Sequence, residues 1–316
     1  MKTRKILILI LLFVLIPILI TYQFFEIKNK SIIPLNFKVA FIGDQGLNDN
    51  SRNVLQLIKD EDTDMVLHQG DFDYQNDPDE WDQQINDILG PDFPYFASIG
   101  NHDVAAWDDY QQKLEVRLNK TDAKCVGNLG VKSACTYKGI FLIISGAGTK
   151  DLNHDSYIRE QLAKDKSIWR ICSWHKNQGL MQVGHKQDEV GWEPYEECRK
   201  GGAIIATGHE HSYSRTHLMD NFKTQNIDST SNILHIEKGK TFAFVSGLGG
   251  YSIRVQNDEL AANDWWATVY TSDQNASYGA LFCIFNENGI KNKAHCYFKD
   301  IDGNIPDEFD IVSNVR

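Results

Sequence analysis

The stretch His68-Gln-Gly-Asp-Phe-Asp-Tyr74 decides how the rest of the chain is read. It follows the apolar run Met65-Val-Leu67, where a buried strand should end. A lone Gly-Asp would be an ordinary turn. Here the same punctuation recurs along the sequence. Phe37 to Ile42 runs into Gly43-Asp44-Gln-Gly46, and Tyr95 to Ile99 runs into Gly100-Asn101-His102-Asp103. Ile171 to Trp174 leads to His175, and Ala203 to Thr207 leads to Gly208-His209-Glu-His211. Five strand ends thus carry metal-capable side chains, which turns alone do not explain.

In open α/β sheets, ligands gather outside the carboxyl ends of the strands, so these loops should converge although they are scattered in sequence. A glycine directly before the ligand in four of the loops is expected to let the backbone turn sharply. Oxygen and imidazole donors without thiolate suit iron, manganese or zinc. The candidate ligands are Asp44, Asp71, Tyr74, Asn101, His175, His209 and His211, enough for two ions sharing one bridging residue. Asp73 reads as a solvated or capping carboxylate, Phe72 as packing, and His68 as a buried histidine behind the site. His154, His185, His217, His235 and His295 lack ligand-like spacing.

Around these motifs, apolar strand-like runs alternate with amphipathic segments. Helices are expected at Ser51 to Lys59, Asp79 to Leu89, Trp107 to Leu118, Ser156 to Lys164 and Glu193 to Arg199. Further strands are expected at Ile140 to Ser145, Ile168 to Trp174 and, beyond Ile233, at Phe242 to Ser246, Ala267 to Thr271, Tyr278 to Phe285 and Lys293 to Phe298. The pattern is α/β with mixed sheets, helices lying outside two packed sheets. The loop Lys120 to Ser133 and the segment Gln178 to Tyr195 are expected to frame the mouth of the site.

The 316-residue chain has 32 basic and 43 acidic side chains, a net charge of −11. Nucleic acid is therefore an unsuitable partner. Phosphate chemistry is compatible with this charge because bound cations invert the local field. Lys2, Arg4 and Lys5 precede the apolar run Ile6 to Ile20, which marks a membrane-targeting segment. Thr21 to Phe25 offers no small-residue cleavage site, which favours an uncleaved anchor over a removed signal peptide. The basic flank puts the N-terminus in the cytoplasm and the remainder outside the membrane. Residues 1–30 are thus read as anchor or signal segment with spacer, and residues 31–316 as one catalytic domain. Six cysteines agree with an oxidising exterior. Of the fifteen pairings open to six cysteines, three local bridges are expected, with buried free thiols as the alternative: Cys125 with Cys135 around a Gly-rich loop, Cys172 with Cys198 flanking a predicted helix, and Cys283 with Cys296 on two arms of a hairpin. Asn119-Lys-Thr and Asn275-Ala-Ser match glycosylation acceptors. No feature specifies an oligomeric state.

The motif series GDxG, GDxxY, GNHD, a lone histidine after a strand, and GHxH, in this order over residues 43 to 211, resembles the metallophosphoesterases and in particular the purple acid phosphatases. The closing segments Ser277 to Leu281, Tyr297 to Gly303 and Asp307 to Phe309 resemble the last strands of that family. The resemblance implies a four-layer α/β/β/α sandwich with two mixed sheets. It implies that Asp44, Asp71, Tyr74 and His211 hold one ion, while Asp71, Asn101, His175 and His209 hold a second, with Asp71 as the bridge. Tyr74 would then be a phenolate on ferric iron, beside a divalent iron, zinc or manganese. Gly46 stands where manganese- and zinc-using relatives carry a histidine. The first motif begins at Gly43, which implies the small layout without the N-terminal β-domain of the plant-type enzymes.

The implied reaction is hydrolysis of phosphate monoesters by water activated between the ions. His102 would protonate the leaving group, and Asp103 would orient His102 or a ligand histidine. Tyr213 and Arg215 would brace the GHxH loop, or Arg215 would contact phosphate. Around His175 the sequence Cys172-Ser-Trp-His-Lys-Asn-Gln178 departs from the family pattern, so Lys176, Asn177 and Gln178 line a wall specific to this chain. Two alternatives stand beside this reading. One is a phosphodiesterase on the same scaffold. The other is a non-catalytic surface protein that binds phosphate or a partner, which the intact ligand set and His102 oppose.

Overall fold

A computed structural model describes residues 33–316. The N-terminal anchor or signal segment expected from the sequence lies outside them. Among the described residues, no helix is long and apolar enough to cross a membrane.

Two large sheets form the body. The first has seven strands: β1 (Phe37–Ile42), β2 (Met65–His68), β3 (Tyr95–Ala97), β12 (Ile233–Ile236), β15 (Gly279–Phe285), β16 (Lys293–Asp300) and β17 (Asp307–Ser313). Their order is β12-β17-β16-β15-β1-β2-β3. The second has eight: β4 (Lys124–Asn128), β5 (Lys132–Tyr137), β6 (Ile140–Ser145), β7 (Trp169–Ser173), β8 (Ile204–Thr207), β9 (Tyr213–Thr216), β13 (Ala243–Ser246) and β14 (Trp266–Tyr270). Their order is β14-β9-β13-β8-β7-β6-β5-β4. A separate hairpin joins β10 (Leu218–Asn221) to β11 (Asn226–Ser229). β1, β2 and β3 run parallel, as do β6, β7, β8 and β13, while the remaining neighbours are mostly antiparallel.

Both sheets are mixed, and strand alternation explains how they stack. On β8, Ile204 and Ala206 join the large central core, while Ile205 faces a second core with Cys172, Ile158, Leu162 and Tyr195. Aromatic pairs stitch the sheets together, including Phe41 with Phe244 at 5.2 Å and Trp169 with Phe285 at 4.8 Å between ring centroids. The helices Asp49–Asp60, Pro78–Ile88 and Trp107–Leu118 follow the parallel strands of the first sheet. His154–Lys164 and Glu193–Lys200 cover the second. The result is the α/β/β/α layering expected from the sequence.

Three disulfides are present: Cys125–Cys135, Cys172–Cys198 and Cys283–Cys296. The pairing is the expected one, but two settings differ. Cys125 and Cys135 face each other across the β4–β5 ladder, and Cys198 lies within its helix. The expected mouth loop Lys120 to Ser133 is thus largely a hairpin at the sheet edge. Its Gly130 carbonyl accepts from the Ile99 N–H at 3.0 Å, just before the Gly100-Asn101 loop. β9 escaped sequence reading because Tyr213-Ser-Arg-Thr216 has no apolar run, although all four residues are buried.

Candidate metal centre

The parallel strands continue their pairing past their ends, which brings the five loops together. The N–H groups of Asp44, Gln45 and Gly46 donate to the carbonyls of Gly70, Asp71 and Phe72, each at 3.0 Å. Gly208 N–H donates to the His175 carbonyl at 3.0 Å, joining the other two loops.

Close approach, more than turning, explains the glycines. Of the four that precede a ligand, only Gly70 has a positive φ, +81°. A Cβ on Gly100 would lie 2.1 Å from Oδ1 of Asp71, so no larger residue fits beside that carboxylate. The sharp turns are made instead by the candidate ligands themselves: Asp44, Asp71, Tyr74 and His209 have φ of 59°, 60°, 62° and 69°. Such strain clusters where a site is held by its surroundings, and for the bulky Tyr74 it is a strong departure from preference.

The donors form two adjoining sets. In the first, the Tyr74 hydroxyl lies 2.8 Å from Asp44 Oδ1 and 3.0 Å from His211 Nε2, and that nitrogen is 3.2 Å from the same carboxylate oxygen. In the second, His175 Nε2 is 3.2 Å from Asp71 Oδ2 and 3.0 Å from His209 Nδ1. Asp71, His175 and His209 offer ligand atoms all within 4.8 Å of one another. Asn101, next to His102 whose backbone N–H donates to Asp71, has a buried Oδ1 with no hydrogen-bond partner among the described residues. An orphaned buried carbonyl on a loop bonded to this donor set is what a cation resolves, so these residues fit a metal centre.

The histidine ring orientations are fixed from behind, as metal-binding histidines require. His175 Nδ1 meets the Gln69 carbonyl at 2.7 Å, His209 Nε2 meets Glu189 Oε2 at 2.6 Å, and His211 Nδ1 meets the Ser252 hydroxyl at 2.5 Å. Each leaves its other nitrogen for the site. Glu189, which also pairs with Lys176, and Ser252 went unrecognised in the sequence, because nothing local marks them as partners of histidines 20 and 41 residues away.

The charge balance agrees. Burial opposes ionisation of Asp44, yet His211 holds its carboxyl well below the usual range. Burial, then His175, depresses His209 to about 3, while Asp71 lifts His175 to about 9 against the cost of burial. Burial and then Asp44 push the Tyr74 phenol well above its ordinary value, so a phenolate here needs a strongly charged cation beside it.

The remaining predicted residues fall as follows. His102 is exposed, its backbone N–H donates to Asp71 Oδ1 at 2.9 Å, and its ring lies 4.5 Å from that of Tyr74. Asp103 takes a different place from the one expected. Its buried carboxylate accepts the N–H groups of Asp71, Phe72 and Gly100 at 2.9, 2.8 and 2.7 Å, tying two ligand loops together rather than orienting a histidine. Burial and the Asp71 carboxylate raise it to about 7 against those bonds. Asp73 is a buried cap, accepting from Gln75, Asn76 and Asp77 N–H and from the Tyr110 hydroxyl. Arg215 does not face the site: its guanidinium is bidentate on Asp307, at 2.7 and 2.9 Å. Asn177 is buried against Thr207 rather than lining a wall. His185, without ligand spacing, lines an open cavity beside the centre.

Solved structures with the same fold include a purple acid phosphatase from yellow lupin (Lupinus luteus) at 17% identity, with a TM-score of 0.65 over 87% of this chain and 53% of that one. This chain therefore spans about half the length of the lupin enzyme. GAP50, described as the anchor in the inner membrane complex of Plasmodium, gives 12% identity and a TM-score of 0.56, covering 89% of this chain and 91% of that one. PhoD gives 10% identity and a TM-score of 0.54 over 85% and 67%. No curated protein matches the chain. The family model for calcineurin-like phosphoesterases matches residues 37–213.

Proposed function

The chain belongs to the calcineurin-like phosphoesterase family, and on that premise we propose that it is an exported binuclear-metal phosphatase of the purple acid type, acting on phosphate monoesters. The observation that carries this reading is the pair of adjoining donor sets, Asp44–Tyr74–His211 and Asp71–Asn101–His175–His209, with the phenol in one and the orphaned amide oxygen in the other. Ferric iron in the first set and divalent iron, zinc or manganese in the second would, when bound, neutralise a phosphate dianion and acidify a water molecule. Asp71 is assigned as the bridge between the sets; its Oδ2 is towards His175 and its Oδ1 towards the His102 loop. His102 is the exposed imidazole beside Tyr74, and its assigned role is to give a proton to the leaving alkoxide. Asp103 keeps the Asp71 and Asn101 loops in register and is a positioning residue. The three disulfides support an oxidising compartment, with the catalytic domain outside and the N-terminal segment towards the membrane.

The test is a visible absorption spectrum with metal analysis of the same sample, followed by turnover of p-nitrophenyl phosphate and its bis-ester. A charge-transfer band with iron present and a preference for the monoester support the assignment. A colourless protein holding manganese or zinc that prefers the diester makes it a phosphodiesterase.

A further inference from the structure

An open cavity of about 480 Å³ beside the centre is lined by His185, Lys186, Glu210, Arg254 and Val255. Glu210 sits between the ligands His209 and His211, so the cavity shares a wall with the donor sets. Arg254 is pinned to this wall. Its backbone N–H donates to the His211 carbonyl at 3.0 Å, and its Nη1 lies 3.3 Å from the His209 carbonyl and 3.5 Å from Glu210 Oε2. Lys186 comes from a loop organised by the buried Gln182. That amide donates to the Gly179 and Lys186 carbonyls at 2.8 and 3.2 Å and accepts the Gly184 N–H at 2.6 Å. Gly184 lets that loop pack closely, because a Cβ there would lie 2.2 Å from the Glu210 carboxylate carbon and displace it.

Two cationic side chains thus share a single lining carboxylate, and Glu210 is itself buried. Burial, then the Arg254 guanidinium, hold the Lys186 ammonium below its ordinary value, the consequence of cations facing one another with too little counter-charge. The Asp44 and Glu189 carboxylates act on Lys186 in the opposite direction, which sets it in the field of the centre. In a chain of net charge −11, a preorganised surplus of positive charge next to a phosphate site calls for a second anion.

We propose that this cavity is a second anion subsite and that the preferred substrates are phosphoanhydrides, which carry a further phosphate beyond the one transferred to water. The inference rests on the phosphatase reading above and narrows it. In the reaction, the water oxygen bonds to the terminal phosphorus and the bridging P–O bond breaks. Its electron pair stays on the leaving phosphate, which takes up a proton. Lys186 supplies a point charge and Arg254 a planar fork to that departing phosphate. A monoester of an uncharged alcohol places nothing there.

The experiment uses the metal-loaded protein and compares kcat/KM for inorganic pyrophosphate with that for p-nitrophenyl phosphate. In Lys186→Gln and Arg254→Gln the ratio of the two should fall at least about tenfold, the loss of one charge-assisted contact. Lys240→Gln, which removes a surface lysine paired with Asp228, should keep the wild-type ratio. Lys186 is half-buried on a loop, so its replacement reports even if the Arg254 variant misfolds. An unchanged ratio in Lys186→Gln, or a wild type active on the monoester but not on pyrophosphate, overturns the subsite alone. A metal-loaded wild type inactive on both overturns the phosphatase reading and the subsite with it.

Discussion

The Tyr74 hydroxyl donates to Oδ1 of Asp44 at 2.8 Å, and the Tyr74 ring is stacked on Tyr251 with centroids 3.5 Å apart and planes 6° from parallel. Tyr74→Phe keeps that stack and removes only the oxygen. Iron-loaded Tyr74→Phe should lose the visible charge-transfer band while retaining its far-ultraviolet circular dichroism. A band that survives the substitution would assign the colour to another ligand.

Asp71 and His102 should separate metal binding from turnover. Asp71→Ala removes the carboxylate that faces His175 and the His102 N–H, so metal content and activity should both disappear. His102→Ala should retain both metals and lower kcat by about 10²–10⁴-fold on an alkyl phosphate, with a smaller loss on p-nitrophenyl phosphate. Full turnover of the alkyl ester by His102→Ala would falsify the acid role.

Glu189 holds His209 from outside the donor set. Glu189→Gln should weaken metal retention about 10–100-fold, measured by chelator competition, because the imidazole loses both its orientation and its added basicity. Removal of Ser252 behind His211 should act in the same direction on the other donor set.

Asp307 joins the two sheets by receiving Arg215 and the Tyr213 hydroxyl, the latter at 2.6 Å. The pair is nearly inaccessible, with side chains 1% and 4% exposed. Asp307→Ala leaves a buried guanidinium uncompensated and should cost about 3–5 kcal/mol in urea unfolding. Tyr213→Phe, which removes one neutral donor from that carboxylate, should cost about 1–2 kcal/mol.

His68 should make the fold sensitive to acid. Burial holds this imidazole down at about 3, whereas the unfolded chain protonates near 6.5. Between those values the unfolded state binds the extra proton, so stability falls as pH drops through that window. The loss is at most about 1.4 kcal/mol per pH unit from this group. The urea midpoint of His68→Asn should depend less steeply on pH between 6.5 and 4 than that of the wild type; an unaltered slope would place the titration elsewhere.

The strands β1 to β3, β6 to β8 and β13 to β16, the five longer helices and the loops that carry the seven candidate ligands were legible in the sequence, because each depends on neighbours in the chain. Alternating or continuous apolar runs set β1, β2, β3 and β6 to β8, and a glycine next to a carboxylate, amide or imidazole marked where four of them ended. Local pattern even gave the three disulfide pairings. What it did not give depended on residues brought together from afar. Gln69 orients His175 across 106 positions, and Arg215 is committed to Asp307 across 92. The same holds for Asp103, whose sequence position beside His102 suggested chemistry but whose carboxylate the packed loops direct to three backbone N–H groups. Lys186 and Arg254 carry no motif at all, and only the fold sets their charges around Glu210. The sequence determined which side chains offer donor atoms to a cation. Tertiary structure decided which nitrogen each histidine presents, which carboxylates are already satisfied, and where positive charge is left over, because these depend on burial and on contacts that no local spacing encodes.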